Sequence, residues 1–179
     1  ISKFLSLVLR HRPGRIGLNL DSHGWADVDE LLQKAAEHGN EFSRETLEIV
    51  VRHSDKQRFT LDHERNRIRA NQGHSIAIDL GLSPLVPPPI LYHGTAARFL
   101  ESIRKKGLIK GNRQHVHLSC DIDTATRVGQ RHGKAIVLHI DAARMSLEEF
   151  KFYRSENGVW LTDSVPCRFI NEKDEKLTQ

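Results

Sequence analysis

Three consecutive residues near the start of the chain, Arg10, His11 and Arg12, could bind an anion and move a proton. The guanidinium group of an arginine offers a planar pair of donors that fits a phosphate. A histidine beside it can give or take a proton near neutral pH. The same residues also suit the end of a helix, where cations meet the negative end of the helix dipole. These three residues alone leave both interpretations open.

A second basic cluster lies in the stretch RIRANQGHS, residues 67–75. On a strand, Arg67 and Arg69 fall on one face and Ile68 on the other, because successive side chains alternate. Exposed strand arginines can also protect a sheet edge from unwanted pairing. The polar turn that follows favours a different interpretation, the presentation of cations to a phosphate. Gly73 would let a ligand approach the backbone, and hydrogen-bonding side chains are present at Asn71, Gln72, His74 and Ser75.

In the second half of the chain, polar residues follow or occupy short apolar runs that are typical of strands. His93, Gly94 and Thr95 follow one such run, while His117 and Ser119 lie two residues apart and so share a strand face. The stretch RVGQRHGK gathers Arg127, Arg131, His132 and Lys134. Each group could equally be structural or solvated.

Other chemistries lack the residues that they need. Neither a Walker nor a Rossmann glycine-rich loop is present, so a bound nucleotide must be held in another way. We find no Ser-His-Asp order, no pair of catalytic carboxylates and no reactive-cysteine context. His115 and His117 have no partners at credible ligand spacing, and we therefore expect no metal. A transferase acting on a glycosidic bond would use a carboxylate on the strand after Glu156, where this chain has Val159.

The elements that must position these residues fall into two predicted lobes. Residues 1–83 begin with an amphipathic helix that Pro13 stops. A second helix starts near Asp27 and ends at Gly39, and Ser43 caps a third. A hairpin follows, with strands at 58–61 and 67–70. Three helices followed by a hairpin are the order of a winged helix.

Four of the six prolines lie in GLSPLVPPPI, and we predict a semi-rigid linker at 84–89. The second predicted lobe, 90–179, reads as many short strands with few helices, typical of an α+β fold of small sheets. We place strands at FKFYR, GVWLT and CRFI, among others. Asp123 is the predicted N-cap of the helix that leads to Arg131.

Composition limits the setting in which such a protein works. The 179 residues are 38% hydrophobic, and no run reaches the roughly 18 apolar residues of a membrane span. The first apolar run lacks a cleavage site, so we interpret it as a helix rather than a signal peptide. With two cysteines we expect a reducing cytoplasm. The net charge of +4 indicates that any polyanion binds through local clusters.

Taken together, these motifs resemble the RNA 2′-phosphotransferase family of the kind that acts in tRNA splicing. The resemblance spans nearly the whole chain, in family order, and RANQGHS followed by YHGT is its most specific part. It also indicates that a few residues precede Ile1. The motifs that carry it are LRHRP (9–13), IRANQGHS (68–75), LYHGT (91–95), HLS (117–119), VGQRHGK (128–134) and GVWLT (158–162).

The resemblance implies an N-terminal winged-helix lobe that grips RNA and a C-terminal ADP-ribosyltransferase-like lobe that binds NAD⁺ as co-substrate. The family reaction removes an internal RNA 2′-phosphate through an ADP-ribosylated RNA. It yields 2′-hydroxyl RNA, nicotinamide and ADP-ribose 1″,2″-cyclic phosphate. The implied partners are tRNA with an internal 2′-phosphate and NAD⁺, with no membrane, and we expect a monomer.

The resemblance also implies roles for individual residues. The catalytic set is Arg10, His11, Arg69 and Arg131. The cofactor-binding set is His93, Gly94, Thr95, His117, Ser119 and Val159. The RNA-binding set is Arg12, Arg67, Asn71, Gln72 and His74. We expect the active site to form between the two lobes.

Two other functions remain open at this point. One is an ADP-ribosyltransferase that caps terminal phosphates of RNA or DNA and stops after the first step. The other is a non-catalytic winged-helix protein that binds nucleic acid through its basic clusters.

Overall fold

The computed structural model of the protein describes residues 1–54 and 57–172. The chain divides into two compact units at Leu82 and Ser83, beside the predicted linker. The first unit comprises Ile1–Leu82 together with a short segment, Asn112–Gln114. The second unit comprises Ser83–Gly111 and the chain from His115 onward. The predicted second lobe extends to residue 179, and its residues 173–179 lie outside the described part.

The first unit contains three helices and a three-stranded antiparallel sheet in the order β1-β3-β2. Its apolar core is formed by residues from the helices and from β3, of which Leu5, Leu47 and Ile68 are fully buried. The elements are α1 (Ser2–Arg10), β1 (Trp25–Asp27), α2 (Val28–Glu37), α3 (Arg44–Arg52), β2 (Phe59–Asp62) and β3 (Arg67–Ala70).

The helix starts of this unit agree with the sequence signals. The side chain of Asp27 accepts a hydrogen bond from the N–H of Glu30, and that of Ser43 accepts one from Thr46. Such N-caps satisfy backbone donors that a helix cannot satisfy itself. The predicted hairpin is also present, with β3 at the predicted residues. The sequence analysis missed β1, a three-residue strand that pairs with β3.

The described residues of the second unit form three α-helices and three small antiparallel sheets, β11-β7-β4, β6-β9-β8 and β10-β5. The elements are β4 (Ile90–Ala96), α4 (Leu100–Lys106), β5 (Leu108–Ile109), β6 (Val116–Leu118), α5 (Ile122–Gly129), β7 (Ala135–Asp141), α6 (Ala142–Leu147), β8 (Tyr153–Arg154), β9 (Trp160–Thr162), β10 (Ser164–Val165) and β11 (Ile170–Glu172). The described residues therefore form a mixed α/β protein with six α-helices.

Several predicted boundaries in this unit are wrong. Asp121, rather than Asp123, caps α5, because Asp121 is extended and its carboxylate accepts from the N–H of Thr124. Asp123 lies in the first turn, where its negative charge interacts favourably with the positive end of the helix dipole. Most of CRFI forms a 3₁₀ helix, Cys167–Phe169, with β11 after it. The predicted FKFYR strand is confined to its last two residues, and α6 was missed.

The proline-rich segment belongs to the second unit rather than standing alone as a spacer. The N–H of Leu85 donates to the carbonyl of Phe152 at 2.8 Å, and Ala143 donates to the carbonyl of Pro89 at 3.0 Å. Pro87 is buried. These contacts hold the segment against the unit that it leads into.

Candidate active site

The C-terminal end of α1 and the turn after β3 are joined by two hydrogen bonds. α1 buries Leu5, Val8 and Leu9, which places Arg10 at its last position and His11 directly after it. The N–H of Ser75 donates to the carbonyl oxygen of Arg10 at 2.9 Å. The hydroxyl of Ser75 lies 2.9 Å from Nδ1 of His11. The LRHRP and IRANQGHS motifs therefore meet within the first unit.

Arg10 is a partly buried cation, and the charges that act on it from the described residues are basic. Its Nη2 donates to the carbonyl of Arg58 at 3.2 Å, and its guanidinium lies 5.6 Å from the centre of the Phe59 ring. Its Nε is buried without a hydrogen bond. Burial, followed by the charges of Arg58 and Arg113, lowers the pKa of Arg10 to about 10. A cation in this setting favours the binding of an anion.

His74 lies within the basic cluster of the first unit, which comprises Arg10, His11, Arg58, Arg69 and Arg113. Its ring is 1% exposed, and both ring nitrogens are buried without a hydrogen bond among the described residues. Burial, followed by the charges of Arg10, His11 and Arg69, lowers its pKa to about 4. His74 is therefore neutral at pH 7. Since those three charges act on one ring, the structure brings together three of the four predicted catalytic residues.

Arg67 and Arg69 lie on the same face of β3, as the alternation predicts. Their guanidinium groups lie 4.3 Å and 4.6 Å from the centre of the Trp25 ring, and Ile68 is fully buried on the other face. Arg67 also donates from Nε to the Asp62 carboxylate at 2.9 Å, and this bond lowers the pKa of Asp62. The charge of Arg67 is thus already matched within the hairpin.

Three more predicted RNA-binding residues differ in their surroundings. Arg12 is exposed and Gln72 is partly buried. Asn71 is buried: its amide oxygen accepts from the Thr60 hydroxyl at 2.7 Å, and its NH₂ group donates to the carbonyl of Gln57 at 2.7 Å. These bonds give Asn71 a structural role in the hairpin, and its contact with RNA stays a prediction. Buried His74 likewise presents no ring nitrogen at the surface.

Two arginines of this cluster were missed by the sequence analysis. Arg58 comes just before β2, and Arg113 lies in the segment Asn112–Gln114, far along the chain. The N–H of Gln114 donates to the carbonyl of His74 at 3.2 Å, which ties this segment to the cluster. Arg113 lowers the pKa of both Arg10 and His11. Neither periodicity nor motif spacing signals this approach, because it depends on a long-range contact.

In the second unit, the structure brings together three predicted cofactor-binding residues. Nδ1 of His93, on β4, lies 3.0 Å from the carbonyl oxygen of His117, on β6. Because a carbonyl only accepts, Nδ1 of His93 carries the proton. Tyr92 and Ser119 exchange two backbone hydrogen bonds of 2.9 Å and 2.8 Å, which join β4 to the end of β6.

Gly94 has a packing role that the prediction did not foresee. A methyl group in place of its hydrogen would lie 1.7 Å from the carbonyl oxygen of Ala125, on α5. In the same way, a methyl at Gly129 would lie 2.6 Å from the carbonyl oxygen of Thr95. Two glycines therefore let α5 lie directly on β4. Thr95 is buried at this contact, which limits its exposure to any ligand.

Val159 and Arg131 complete the predicted set. Val159 directly precedes β9, where its carbonyl accepts from the N–H of Ser155 at 2.9 Å. The next residue, Trp160, pairs with Leu118 of β6, so Val159 lies beside the end of that strand. Arg131 is exposed on a 3₁₀ helix of the second unit, and its place in the catalytic set stays a prediction.

The described residues contain neither a cluster of metal ligands nor a membrane-spanning helix. In residues 1–54 and 57–172, no group of three or more His, Cys, Asp or Glu side chains could hold a metal ion. Within the same ranges, no helix has both the length and the apolar character needed to cross a membrane.

Comparison with known proteins gives a consistent result. The model of the RNA 2′-phosphotransferase, Tpt1/KptA family matches residues 1–164. A probable RNA 2′-phosphotransferase of Pseudomonas fluorescens is 58% identical over 170 residues, covering 94% of this chain and 93% of the relative. Relatives of the same name from Acaryochloris marina and Flavobacterium johnsoniae are 55% and 53% identical, covering 96% and 97% of this chain and 95% of each relative. The chain belongs to the RNA 2′-phosphotransferase family.

Proposed function

We propose that this protein removes an internal 2′-phosphate from RNA, with NAD⁺ as co-substrate and tRNA splice junctions as the type of substrate. Family membership and the names of the relatives support the removal of an RNA 2′-phosphate. One structural observation carries the assignment of the site. Arg10 is a partly buried guanidinium, the charges that act on it from the described residues are those of Arg58 and Arg113, and an RNA 2′-phosphate would supply a negative charge to this group.

The basic cluster of the first unit binds that phosphate in this proposal. Arg10 and Arg69 stabilise the charge that develops on the phosphorus centre, a task for which positioned arginines are suited. The Trp25 ring holds Arg69 in place through a contact of 4.6 Å, which limits the movement of its guanidinium. We assign Arg131 of the second unit to the same phosphate, as a prediction from the family motif.

His11 exchanges protons in this mechanism. His11 is largely exposed, but part of its ring is shielded from solvent. This partial burial, followed by the charges of Arg10, Arg113 and Arg12, lowers the pKa of His11 below the ordinary 6.5. A neutral imidazole at pH 7 can accept a proton from a hydroxyl group and then return it. The first step needs no strong base, because the 2′-phosphate is already a negatively charged nucleophile. This accounts for Val159 in place of a carboxylate.

We propose that NAD⁺ binds along β4 and the end of β6. When bound, it supplies an anomeric carbon for attack by the 2′-phosphate and a ribose hydroxyl for the release of RNA. The hydrogen bond from Nδ1 of His93 to the carbonyl of His117 fixes the His93 ring for such a ligand. Ser119 lies on the neighbouring strand end, and Val159 places an apolar side chain beside it. These residues fit a neutral amide and a ribose.

In architectural terms, we propose that the first unit is a winged-helix lobe that grips RNA and the second an ADP-ribosyltransferase-like lobe. The first assignment is supported by three helices followed by the β2–β3 hairpin, whose sheet is completed by β1. The packing of small antiparallel sheets around a few helices supports the second. A cytoplasmic monomer remains our expectation for the working protein.

The test is incubation with labelled NAD⁺ and an RNA that carries one internal 2′-phosphate, followed by identification of the products. We expect nicotinamide, 2′-hydroxyl RNA and ADP-ribose 1″,2″-cyclic phosphate. A matched RNA with a terminal phosphate instead is the control. Stable ADP-ribosylation of the terminal phosphate alone would indicate a capping enzyme. RNA binding with no nicotinamide release from either RNA would indicate a non-catalytic protein.

A further inference from the structure

Ser75 contacts the predicted proton carrier directly, and neither the family motif assignments nor the relatives' names give it a role. Its hydroxyl oxygen lies 2.9 Å from Nδ1 of His11. Its backbone N–H is separately bonded to the carbonyl of Arg10 at 2.9 Å. The backbone bond fixes where Ser75 stands, so the hydroxyl is held against one particular nitrogen of the imidazole.

We propose that Ser75 is a positioning residue that accepts a hydrogen bond from Nδ1–H of His11 and thereby keeps the Nε2 lone pair available for proton exchange with the substrate. The two ring nitrogens of a neutral histidine are a donor and an acceptor, and the partner of one sets the state of the other. This inference rests on the proposed phosphotransfer function. It adds which nitrogen of His11 reacts and what selects it.

The step that depends on this arrangement is the release of RNA. The ribose 2″-oxygen forms a bond to phosphorus, and the bond from phosphorus to the RNA 2′-oxygen breaks. Nε2 of His11 takes the proton of the attacking hydroxyl and returns it to the departing 2′-oxygen. His11 is therefore base and then acid in one displacement, and Nδ1–H stays bonded to Ser75 throughout.

A hydroxyl group suits this position better than a carboxylate. In the described part of the chain, the charged groups that act on His11 are basic: Arg10 and Arg12 on its own side of the turn, and Arg113. A carboxylate bonded to Nδ1 would favour the protonated ring and raise the pKa of His11. Serine orients the ring without adding charge, so His11 remains neutral and able to accept a proton near pH 7.

The first measurement is the tautomer of His11, read from ¹⁵N NMR shifts of its ring nitrogens in the full chain. We expect the Nδ1–H form in the unaltered protein. Ser75→Ala should move the ring toward the Nε2–H form that isolated neutral histidine prefers, and Ser75→Thr should retain Nδ1–H. An Nε2–H ring in the unaltered protein, or no change in Ser75→Ala, would overturn the proposal.

The second measurement is turnover of the 2′-phosphorylated RNA across pH. Loss of one hydrogen bond predicts a kcat about three- to tenfold lower in Ser75→Ala, with KM unchanged, and Ser75→Thr should recover it. Ser75→Asp should raise the pKa seen in the kcat profile. Ser102→Ala, at an exposed serine on α4, is the matched control.

These measurements separate the two proposals. An unaltered protein that does not release nicotinamide from this RNA contradicts the proposed function, whatever the tautomer. An active protein whose Ser75→Ala variant has the same kcat profile contradicts the role of Ser75 alone. A change confined to KM would indicate a structural role of the turn and would also contradict the proposal.

Discussion

His74 should make the stability of the protein depend strongly on pH. Its pKa is about 4 in the folded state and 6.5 at its ordinary value, so the unfolded chain binds a proton more readily. Its contribution to stability is therefore complete above pH 6.5 and is lost as pH falls toward 4. Since one pKa unit corresponds to about 1.4 kcal/mol, this loss amounts to about 3 kcal/mol.

The perturbation that isolates this effect is His74→Phe, which keeps an aromatic ring and removes the titrating group. It also removes two ring nitrogens that are buried without a hydrogen bond, each of which costs about 1–3 kcal/mol. We therefore expect the variant to be at least as stable as the unaltered protein at pH 7 and clearly more stable at pH 4.5.

The assay is urea unfolding followed by tryptophan fluorescence at pH values from 7.5 to about 4, an interval that spans both pKa values. The quantity of interest is the difference in unfolding free energy between the variant and the unaltered protein, because other titrating groups cancel in it. Ser102→Ala, at an exposed residue that does not titrate, is the control and should show no such trend. A difference that stays constant across this interval would refute the reasoning.

Three further predictions concern single residues. Arg69→Ala should lower the rate of RNA release by about 100-fold or more, because the phosphorus centre loses a cation. ADP-ribosylated RNA should then accumulate and be visible on denaturing gels. The control variant Arg65→Ala, at an exposed arginine, should turn over normally. Gly94→Ala should lower the melting temperature steeply, since its methyl would overlap the backbone of α5, and Gly14→Ala, with open space around it, should not. Asn71→Ala should lower the unfolding free energy by about 1–3 kcal/mol in urea titrations, because it removes the two hydrogen bonds of a buried side chain; retained stability would contradict its structural role.

The local features of the fold could be predicted from the sequence because they depend on neighbouring residues. The caps at Asp27 and Ser43 follow from a short polar side chain placed before an apolar period. Arg67 and Arg69 share a face because side chains alternate along any strand. Errors arose where two local signals competed, as with the two aspartates at the start of α5.

Long-range contacts set the surroundings of the candidate site, and these were not predictable. The burial of His74 depends on the packing of the turn after β3 against α1. The position of Arg113 near Arg10 depends on the hydrogen bond that the N–H of Gln114, in a distant loop, donates to the carbonyl of His74. The sequence motif assigned Gly94 to cofactor binding, but it could not show that α5 packs against Gly94 at Ala125, 31 residues further along the chain.

By itself the sequence determined the helices of the first unit, the hairpin, the identity of the basic residues and the family, because side-chain periodicity and motif order are properties of the chain. Only the tertiary structure decided which of those residues are buried, paired or exposed. Burial and the neighbouring charges set the protonation of an imidazole and the reach of a guanidinium, and both are fixed by segments that are far apart in sequence.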